Sequence, residues 1–332
     1  MRARTTGADF GRITRCDTLF EFRIRIVTPL DQIIDISNDG RHLSRDRGFL
    51  KVEEDGREVG RVPLDQITAV IVHAHGITWT SSLLVELAEQ GAMLVLCAAN
   101  HQPRALLLPL QGHHGQGARM RAQWSARTPL IKQAWKQIVT AKVNMQAATL
   151  AAFGHPAARL EQMVRQIKSG DPTNIEAQAA RYYWPLLMGR DFRRDAKVPD
   201  INGLLNYGYT VLRAATARAV VAAGLHPTIG VHHHNRSNAF ALADDLMEPF
   251  RPLVDATARN IARTNGHTVT PEAKQALARL ISLDLPLGDT VSPTSVALSK
   301  LATSLALSFE AGSLALALPK PPDALILAGL GK

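Results

Sequence analysis

The sequence predicts an α+β fold in which a small N-terminal β-rich domain is followed by a larger all-α domain. Up to Leu110, short runs rich in β-branched residues are separated by turn signals, as is typical of strands. After Gly112, apolar residues recur at helical spacing in long alanine-rich segments. The predicted divisions are an atypical extension over 1–32, a β-rich domain over 33–112, a helical domain over 118–310 and a tail over 311–332.

Turn residues locate the elements of the β-rich part. Asp55-Gly56 lies between two short apolar runs and predicts a hairpin, and Asn38-Asp39-Gly40 is a further turn signal. Thr80 to Ser82 offer candidate N-caps for a helix, because the apolar residues after them follow helical spacing. Strands are predicted at Ile67–Val72, Met93–Cys97 and Leu106–Leu110.

The second part reads as helices separated by glycine and proline. Helical segments are predicted at Ala118–Phe153, Glu176–Trp184, Leu204–Ala223, Asn238–Met247 and Ser295–Phe309. A break is predicted at Leu285–Pro293. From Lys320 onward we expect a frayed or loosely docked tail.

Composition favours a polyanionic partner. The 332 residues carry a formal net charge of +9, which attracts DNA or RNA through counterion release. No apolar run reaches the roughly 20 residues that span a bilayer. The two cysteines, Cys16 and Cys97, form no disulfide framework, which fits a reduced, cytoplasmic protein. The first thirty residues are basic without a signal-type apolar core, and they read as a basic tail or, as we favour, a mis-called translation start.

Glu176 has two readings. Thr173-Asn174-Ile175-Glu176 matches a capping box, in which the carboxylate would bind the backbone amide of the N-cap residue. The same position also places a carboxylate at the start of a helix, where it could bind a cation.

Asp244, Asp245 and Glu248 form a local cluster of acids. Their spacing of three and four residues places Glu248 on one helix face with the other two, where like charges repel. One reading is a solvated acidic face. The other, in a chain with a large positive excess, is a bound divalent cation, because such ions prefer oxygen ligands.

Three adjacent histidines follow, namely His232, His233 and His234. They cannot all bind one metal ion, because neighbouring side chains point in different directions, but one of them could. His113-His114 and His73/His75 lack acidic neighbours in sequence, and we read them as structural or DNA-contacting. Two carboxylates and one imidazole suit Mg²⁺ or Mn²⁺ and phosphodiester chemistry. No glycine-rich Walker loop or Gly-x-Ser-x-Gly elbow supports ATP hydrolysis or esterase chemistry.

The combined motifs resemble the CRISPR-associated spacer integrase family, Cas1, in the version found in type II systems. The resemblance covers roughly residues 33 to 310. The matching stretches are Ile34–Ser37 with Gly40–Ser44, Val70–Gly76, Leu94–Cys97 with Asn100-His101, Asn174–Ala177 with Ala180–Trp184, Asn206–Tyr209, Gly224–Pro227 with Gly230–His233, and Asp245–Pro252.

The resemblance implies that Glu176, His233 and Glu248 are the catalytic metal ligands, and that Asp245 supports the site. It implies a homodimer with an N-terminal β-rich dimerisation domain, and a heterohexameric complex in which two such dimers flank a dimer of the small partner Cas2. The implied substrate is double-stranded DNA, both captured spacer precursor and CRISPR repeat. Arg181 and Arg251 are candidates for neutralising phosphate.

The implied reaction is a transesterification, in which a DNA 3′-hydroxyl attacks a phosphodiester of the CRISPR array and a repeat-strand 3′-hydroxyl leaves. Two alternatives stay open. One is a transposon-type integrase with the same fold and chemistry. The other is a non-catalytic DNA-binding scaffold, which would need no metal.

Overall fold

The computed structural model describes residues 32–101, 103–198, 200–235 and 237–332. It shows the predicted α+β order, with a β-rich region followed by a helical region. Cys16 and residues 1–31 of the predicted extension lie outside the described residues. The elements of the β-rich region are β1 Gln32–Ile36, β2 Arg41–Asp46, β3 Phe49–Glu54, β4 Arg57–Pro63, β5 Ile67–Val72, β6 Thr78–Trp79, α1 Ser81–Glu89, β7 Met93–Cys97 and β8 Pro103–Leu107.

These strands form two four-stranded sheets. The first has the order β1-β5-β7-β8, with β1, β5 and β7 parallel and β8 antiparallel to β7. The second has the order β4-β3-β2-β6. Strand β5 is buried along its whole length, because Val70 packs between the two sheets while Ile71 packs against the helical region. Burial on both faces explains why its sequence is continuously apolar rather than alternating.

Local signals in this region are largely confirmed. Strands β3 and β4 form the predicted hairpin, and its turn residues Asp55 and Gly56 have φ angles of 50° and 75°. Of the candidate caps Thr80 to Ser82, Thr80 accepts a hydrogen bond from the Leu83 amide at the start of α1. Cys97 is buried, as expected for a small core residue, and burial raises the pKa of its thiol to about 12.

The helical region contains helices of 6 to 25 residues. The helices are α2 Gln116–Trp124, α3 Thr128–Ala152, α4 Ala158–Val164, α5 Ile175–Met188, α6 Ile201–Ala222, α7 Ala241–Met247, α8 Arg251–Asn265, α9 Pro271–Ala278, α10 Thr294–Ala311 and α11 Ala324–Gly329. Short 3-10 turns lie at Leu64–Gln66, Glu248–Phe250 and Arg279–Ser282. A hairpin of β9 Asp284–Leu287 and β10 Thr290–Pro293 fills the break predicted at 285–293.

The segment predicted as one helix over 118–153 is divided in two. Helix α2 ends at Trp124, and α3 begins at Thr128 with Pro129 in its first turn. Proline is well tolerated there, because the first amides of a helix have no partner within it. The periodicity was read correctly on each side, but the elbow between the two helices was missed.

Helix α6 is the centre of the helical core. It packs against β5 and β7 on one side and against α7, α8, α9 and α10 on the others. A Cβ atom at Gly208 would lie 2.5 Å from Cγ1 of Val254, so glycine permits the close approach of α8. The first sheet and the helices therefore share one apolar core, which fixes the site described below against a rigid support.

The prediction of a loosely docked tail was wrong. Helix α11 packs against α3 and α8, and Leu327 is fully buried. The Asn260 side-chain amide donates hydrogen bonds to the carbonyls of Ala328 (3.1 Å) and Leu330 (2.7 Å). Among the described residues, none of the helices combines the length and apolar character that crossing a membrane requires.

Candidate active site

Glu176 lies in the first turn of α5, but it does not complete a capping box. Asn174, with a φ angle of 54°, is the N-cap residue and accepts a hydrogen bond from the Ala177 amide. Asp171 accepts hydrogen bonds from the Ile175 amide at 2.8 Å and the Glu176 amide at 2.9 Å. Since these two side chains satisfy the amides of the first turn, the Glu176 carboxylate points elsewhere.

The Glu176 carboxylate shares a buried ammonium group with Glu248. Lys142, in the middle of α3, contacts Oε1 of Glu176 and lies 2.5 Å from Oε2 of Glu248. Both Lys142 and Glu248 are buried, whereas the Glu176 side chain is 26% exposed. The reading of Glu248 as part of a solvated acidic face is therefore wrong.

Charge compensation favours the ionised forms of Lys142 and Glu248. Burial alone would lower the pKa of Lys142, but Glu248 and Glu176 raise it above its ordinary value. Burial alone would raise the pKa of Glu248, but Arg251 and Lys142 lower it below its ordinary value. Arg251 donates a 2.6 Å hydrogen bond to Oε1 of Glu248, so this arginine pairs with a local acid.

The other two acids of the cluster have separate partners. Asp244 accepts hydrogen bonds from Nε of Arg213 (2.6 Å) and from the Asn238 side chain (2.8 Å). Asp245 is fully buried and accepts hydrogen bonds from the backbone amides of Val231 (2.6 Å) and His232 (2.8 Å). It therefore fixes the loop that carries the three histidines.

Asp245 also orients His233. Its Oδ1 lies 2.5 Å from Nδ1 of His233, and this hydrogen bond raises the pKa of the imidazole more than burial lowers it. The charge of Glu248 acts in the same direction. The His233 side chain is 45% exposed, and within the described residues its Nε2 has no hydrogen-bond partner.

The backbone beneath the histidines requires glycine. A Cβ atom at Gly230 would lie 2.5 Å from the carbonyl oxygen of His233 and 2.9 Å from Oδ2 of Asp245. Real Cβ atoms do not approach backbone so closely, so any other residue would push the loop away from the carboxylate. Because Gly230 has no side chain, Asp245 can bind the amides of Val231 and His232 and the imidazole of His233 together.

Trp135, in α3, packs against the same histidine loop. Its buried indole stacks on the His232 ring with centroids 4.2 Å apart and planes 2° from parallel, and it meets His233 edge-on at 5.8 Å. Burial lowers the pKa of His232, which keeps that ring neutral against the indole. Of the three histidines, His233 is thus the one held by a carboxylate.

This geometry can be compared with known proteins. The chain matches the family model for CRISPR associated protein Cas1 over residues 34–274, which is more than half of its length. The chain belongs to the Cas1 family. It is 35% identical over 273 residues to the CRISPR-associated endonuclease Cas1 of Neisseria meningitidis serogroup C (strain 8013), covering 81% of this chain and 89% of that relative. It is also 28% identical over 246 residues to a CRISPR-associated endonuclease Cas1 of Pyrobaculum aerophilum, covering 68% and 81%.

Solved Cas1-like structures share the fold. A casposase bound to its integration product superposes with a TM-score of 0.72 at 19% identity, covering 87% of this chain and 94% of that one. A CAS1 protein from Thermotoga maritima gives a TM-score of 0.69 at 14% identity, covering 86% and 99%. A chain of a Cas6-RT-Cas1–Cas2 complex gives 0.68 at 19% identity, covering 86% of this chain and 36% of that one. The similarity to named Cas1 endonucleases over most of both chains makes this a protein of a family of CRISPR-associated endonucleases.

Two carboxylates and an imidazole are donors of the kinds that a hard divalent cation such as Mn²⁺ accepts. Glu176 and Glu248 already share one cation, the Lys142 ammonium, and Oε2 of Glu248 is buried without a hydrogen bond of good geometry. Asp245 engages Nδ1 of His233, an arrangement typical of metal-binding imidazoles because it leaves Nε2 for the ion. In the described ranges, no group of three or more His, Cys, Asp and Glu side chains is arranged to hold an ion. Lys142 bridges the two carboxylates in this arrangement.

Sequence reasoning missed two parts of the site. Lys142 gave no signal, since a lysine in a long helix reads as a solvated residue. The buried Asp255 lies behind the site, where Tyr209 donates a hydrogen bond to it and the Arg251 guanidinium stacks over the Tyr209 ring at 4.6 Å. Burial raises the pKa of Asp255 to about 6. Exposed Arg181 makes no ion pair within the described residues.

His73 lies in a second polar cluster, between the first sheet and the helices. Its Nε2 is 3.2 Å from Asp35, which also binds Lys274, and its Nδ1 is 3.1 Å from Nδ1 of His101. The structural reading of His73 is thus supported by an acidic partner 38 residues away, which local sequence could not reveal. Burial raises the pKa of Asp35, but the contact with His73 and the charge of Lys274 outweigh it and lower this pKa to about 2.

Proposed function

We propose that this Cas1-family protein is a divalent-metal-dependent DNA integrase of CRISPR adaptation, which inserts new spacer DNA into the CRISPR array. The observation that carries the proposal is that Glu176 and Glu248 share one buried cation, Lys142 of α3, while Trp135 of the same helix packs against the imidazole that Asp245 orients. These side chains come from three separate segments of the chain. The net charge of +9 adds the attraction to DNA that such an enzyme needs.

Glu176, His233 and Glu248 would hold the ion, with Mg²⁺ or Mn²⁺ the candidates because the donors are two carboxylates and one imidazole. When bound, the ion supplies Lewis-acid polarisation of the phosphodiester and lowers the pKa of the attacking hydroxyl. Asp245 fixes the ring so that Nδ1 carries the proton and Nε2 faces outward. Arg251 keeps Glu248 ionised and fixed in place.

The reaction exchanges one phosphodiester for another. The 3′-hydroxyl of the donor strand forms a bond to phosphorus and loses its proton, while the bond from phosphorus to the 3′-oxygen of the repeat strand breaks and that oxygen takes up a proton. The positive charges of Lys142 and Arg251, both beside Glu248, would counter the negative charge of the phosphate that approaches the site. A second attack on the other strand completes the insertion.

The proposed partners follow from the family. A structural neighbour is described as part of a Cas6-RT-Cas1–Cas2 complex and another as a casposase bound to its integration product, which supports Cas2 and DNA as partners. We infer a homodimer formed through the β-rich domain, within a heterohexamer with Cas2.

A half-site integration assay tests the proposal. Labelled donor duplex is incubated with an array-containing plasmid, Mn²⁺ or Mg²⁺, and protein with or without Cas2. We expect Glu176→Gln, His233→Ala and Glu248→Gln to abolish joining while DNA binding changes little. His234→Ala is the matched control, because His234 is exposed and lies next to the proposed ligand.

Two outcomes would contradict the proposal. Undiminished joining by His233→Ala would remove that residue from the site. If wild type joins no DNA with Cas2 and metal present, and Glu248→Gln binds DNA as wild type does, the alternative of a non-catalytic scaffold stands.

A transposon-type integrase is the second candidate, favoured by the structural similarity to a casposase. It shares the chemistry and differs in the DNA that is joined. Donors with and without terminal inverted repeats, offered to a repeat-containing target and to a target without repeats, separate the two functions.

A further inference from the structure

Arg251 has an acidic neighbour on each side along the chain. Glu248, in the 3-10 turn that leads into α8, precedes it by three residues, and Asp255 follows it by four; residues at these spacings are neighbours on a helix. The Arg251 guanidinium donates a 2.6 Å hydrogen bond to Glu248, while its Nε is buried without a hydrogen-bond partner among the described residues. Burial opposes the charge of Arg251, but Glu248 and, more weakly, Asp255 raise its pKa. Two buried carboxylates therefore compete for one guanidinium.

Asp255 takes its hydrogen bond from Tyr209 instead. The Tyr209 hydroxyl, on α6, donates to Oδ1 of Asp255, and both side chains are buried. Burial raises the pKa of Tyr209 well above its ordinary value, so the hydroxyl keeps its proton and stays a donor. Burial also raises the pKa of Asp255, to about 6, so this carboxylate is ionised at pH 8. Because a buried charge is costly without a partner, the hydroxyl satisfies a strong demand of Asp255.

The ring of the same tyrosine supports the arginine. The Arg251 guanidinium lies over the Tyr209 ring, with 4.6 Å between its Cζ and the ring centroid. Such stacking restricts the plane of a guanidinium without offering it a hydrogen-bond acceptor. A second guanidinium, that of Arg194, lies over this ring at 5.4 Å and donates hydrogen bonds to the side-chain oxygens of two asparagines on α6, at 2.9 and 2.8 Å. Neutral groups therefore hold Arg194, which leaves Asp255 to Tyr209.

We propose that Tyr209 is a positioning residue of this site: its hydroxyl occupies Asp255 and its ring carries Arg251, so that Arg251 binds Glu248 rather than Asp255. This inference rests on the proposed metal-dependent function, because Glu248 is a ligand of the ion there. Tyr209 acts through Arg251 and not by binding the ion itself. Without the hydroxyl, Asp255 would be a buried anion in need of a donor, and Arg251, four residues away on the same helix, is a cation that can satisfy it.

Tyr209→Phe separates the two roles of this side chain. The ring remains and the hydroxyl is lost, so Asp255 should take Arg251 away from Glu248. A nearby positive charge shifts the proton affinity of a carboxylate by about tenfold or more, and it opposes a metal cation in the same way. We therefore expect Mn²⁺ to bind Tyr209→Phe about tenfold more tightly than wild type. Strand joining should become about tenfold slower, because Arg251 no longer counters phosphate charge. A site that was merely loosened would bind Mn²⁺ more weakly.

Two measurements on the full chain test the inference without strand joining. Isothermal titration calorimetry with Mn²⁺ alone, at about pH 8 and below the melting temperature of each variant, gives the affinities. A crystal structure of metal-free Tyr209→Phe should show Arg251 bound to Asp255. Tyr207→Phe is the matched control, because Tyr207 is a buried tyrosine two residues earlier on α6 and lies beside a different acid, Asp35. It loses a buried hydroxyl in the same way, and its affinity for Mn²⁺ should change less than about twofold.

Substitution of Asp255 gives a further check. Asp255→Asn keeps an acceptor for the Tyr209 hydroxyl and removes the competing charge, so we expect it to bind Mn²⁺ within about threefold of wild type. Tyr209→Phe/Asp255→Asn should return to the same range, because no carboxylate is left to capture Arg251. The double variant has no unpaired buried charge, so it tests the competition even if Tyr209→Phe alone fails to fold. A tenfold change in the affinity of the double variant in either direction would count against the proposal.

Unchanged or weaker binding of Mn²⁺ by Tyr209→Phe would overturn the proposal. A crystal structure in which Arg251 stays on Glu248 would also overturn it, and Tyr183, whose hydroxyl also lowers the pKa of Asp255, would then be the remaining partner of that acid. If wild type binds no Mn²⁺ or joins no DNA, the proposed metal-dependent function fails. The crystal structure still decides which acid binds Arg251, so the two proposals fail independently.

Discussion

Lys142 offers the sharpest test of the site's electrostatics. Its ammonium contacts the carboxylates of both Glu176 and Glu248; the side chains of Lys142 and Glu248 are almost fully buried, and that of Glu176 is 26% exposed. Lys142→Met retains much of the side-chain volume and removes only the charge. The two carboxylates would then repel each other across a site of low polarity, with Arg251 left as the nearby cation.

The expected loss of stability follows from this burial. Removing one partner of a buried ion pair costs about 3–5 kcal/mol, and we expect the lower end because Glu176 is partly exposed and Glu248 keeps Arg251. At about 2.1 cal/mol/K per residue, a chain of this length has an unfolding entropy of roughly 0.7 kcal/mol/K. A loss of about 3 kcal/mol therefore lowers the apparent melting temperature by about 4–5 °C in EDTA.

A divalent cation should reverse this loss. In Lys142→Met an ion can take the place of the ammonium between Glu176 and Glu248, whereas in wild type the ammonium competes with it. If removing the competitor tightens binding tenfold, Mn²⁺ adds about 1.4 kcal/mol more stability to the variant than to wild type, or about 2 °C. Strand joining should nevertheless fall, because Lys142 no longer counters phosphate charge.

Thermal denaturation across a Mn²⁺ titration, with EDTA as the zero point, measures both effects. Lys132→Met is the matched control, since Lys132 is exposed on the same helix. Equal melting temperatures of wild type and Lys142→Met in EDTA would refute the argument that the ammonium compensates the carboxylates. Equal stabilisation of the two proteins by Mn²⁺ would refute the competition between ammonium and metal.

Three further changes test other parts of the molecule. Asp245→Asn removes the carboxylate that accepts hydrogen bonds from the loop carrying the three histidines. We expect the free energy of unfolding, measured in urea, to fall by about 1–3 kcal/mol and the pKa of His233, measured by NMR, to fall as well. Burial, with His73 and Lys274 nearby, lowers the pKa of His101 from 6.5 to about 4. Between these pH values the unfolded chain binds more protons than the folded chain, so the free energy of unfolding falls as pH decreases through this window. After allowance for solvent, His101→Asn should reduce the stability lost between pH 7 and pH 5 by about 1 kcal/mol, and an unchanged loss would contradict the pKa shift. Leu327→Ala should cost about 2–5 kcal/mol and Leu325→Ala less than about 0.5 kcal/mol, and equal effects of the two would mean that α11 is not docked.

Elements set by local chemistry could be predicted from the sequence. The Asp55-Gly56 hairpin follows from two residues that accept positive φ, and α1 follows from the Thr80 cap and helical periodicity. The break between α2 and α3 was missed because the apolar spacing continues through it. The docked tail was missed because Leu327 finds its partners on distant helices.

In the candidate site, too, local sequence could not predict the features that depend on distant contacts. Glu176, His233 and Glu248 were selected by resemblance, since capping and solvated acids were equally good local readings. The structure removes both readings. Asp171 accepts the hydrogen bond from the Glu176 amide that a Thr173 cap would have accepted, and Lys142, 34 residues before Glu176, holds the carboxylates. Contacts of this kind leave no periodic pattern in the sequence.

Two basic side chains balance the charges of the two carboxylates at the site. Glu176 and Glu248 contribute two negative charges, and Lys142 and Arg251 contribute two positive ones, so the group is neutral as it stands. A divalent cation added to this neutral group leaves an excess of two positive charges unless anions join it. The phosphodiesters of the two DNA strands are such anions. We therefore expect metal and DNA to bind cooperatively, with each raising the affinity for the other by the same factor. In Lys142→Met the excess falls to one, so the cooperativity measured by metal titration with and without DNA should weaken.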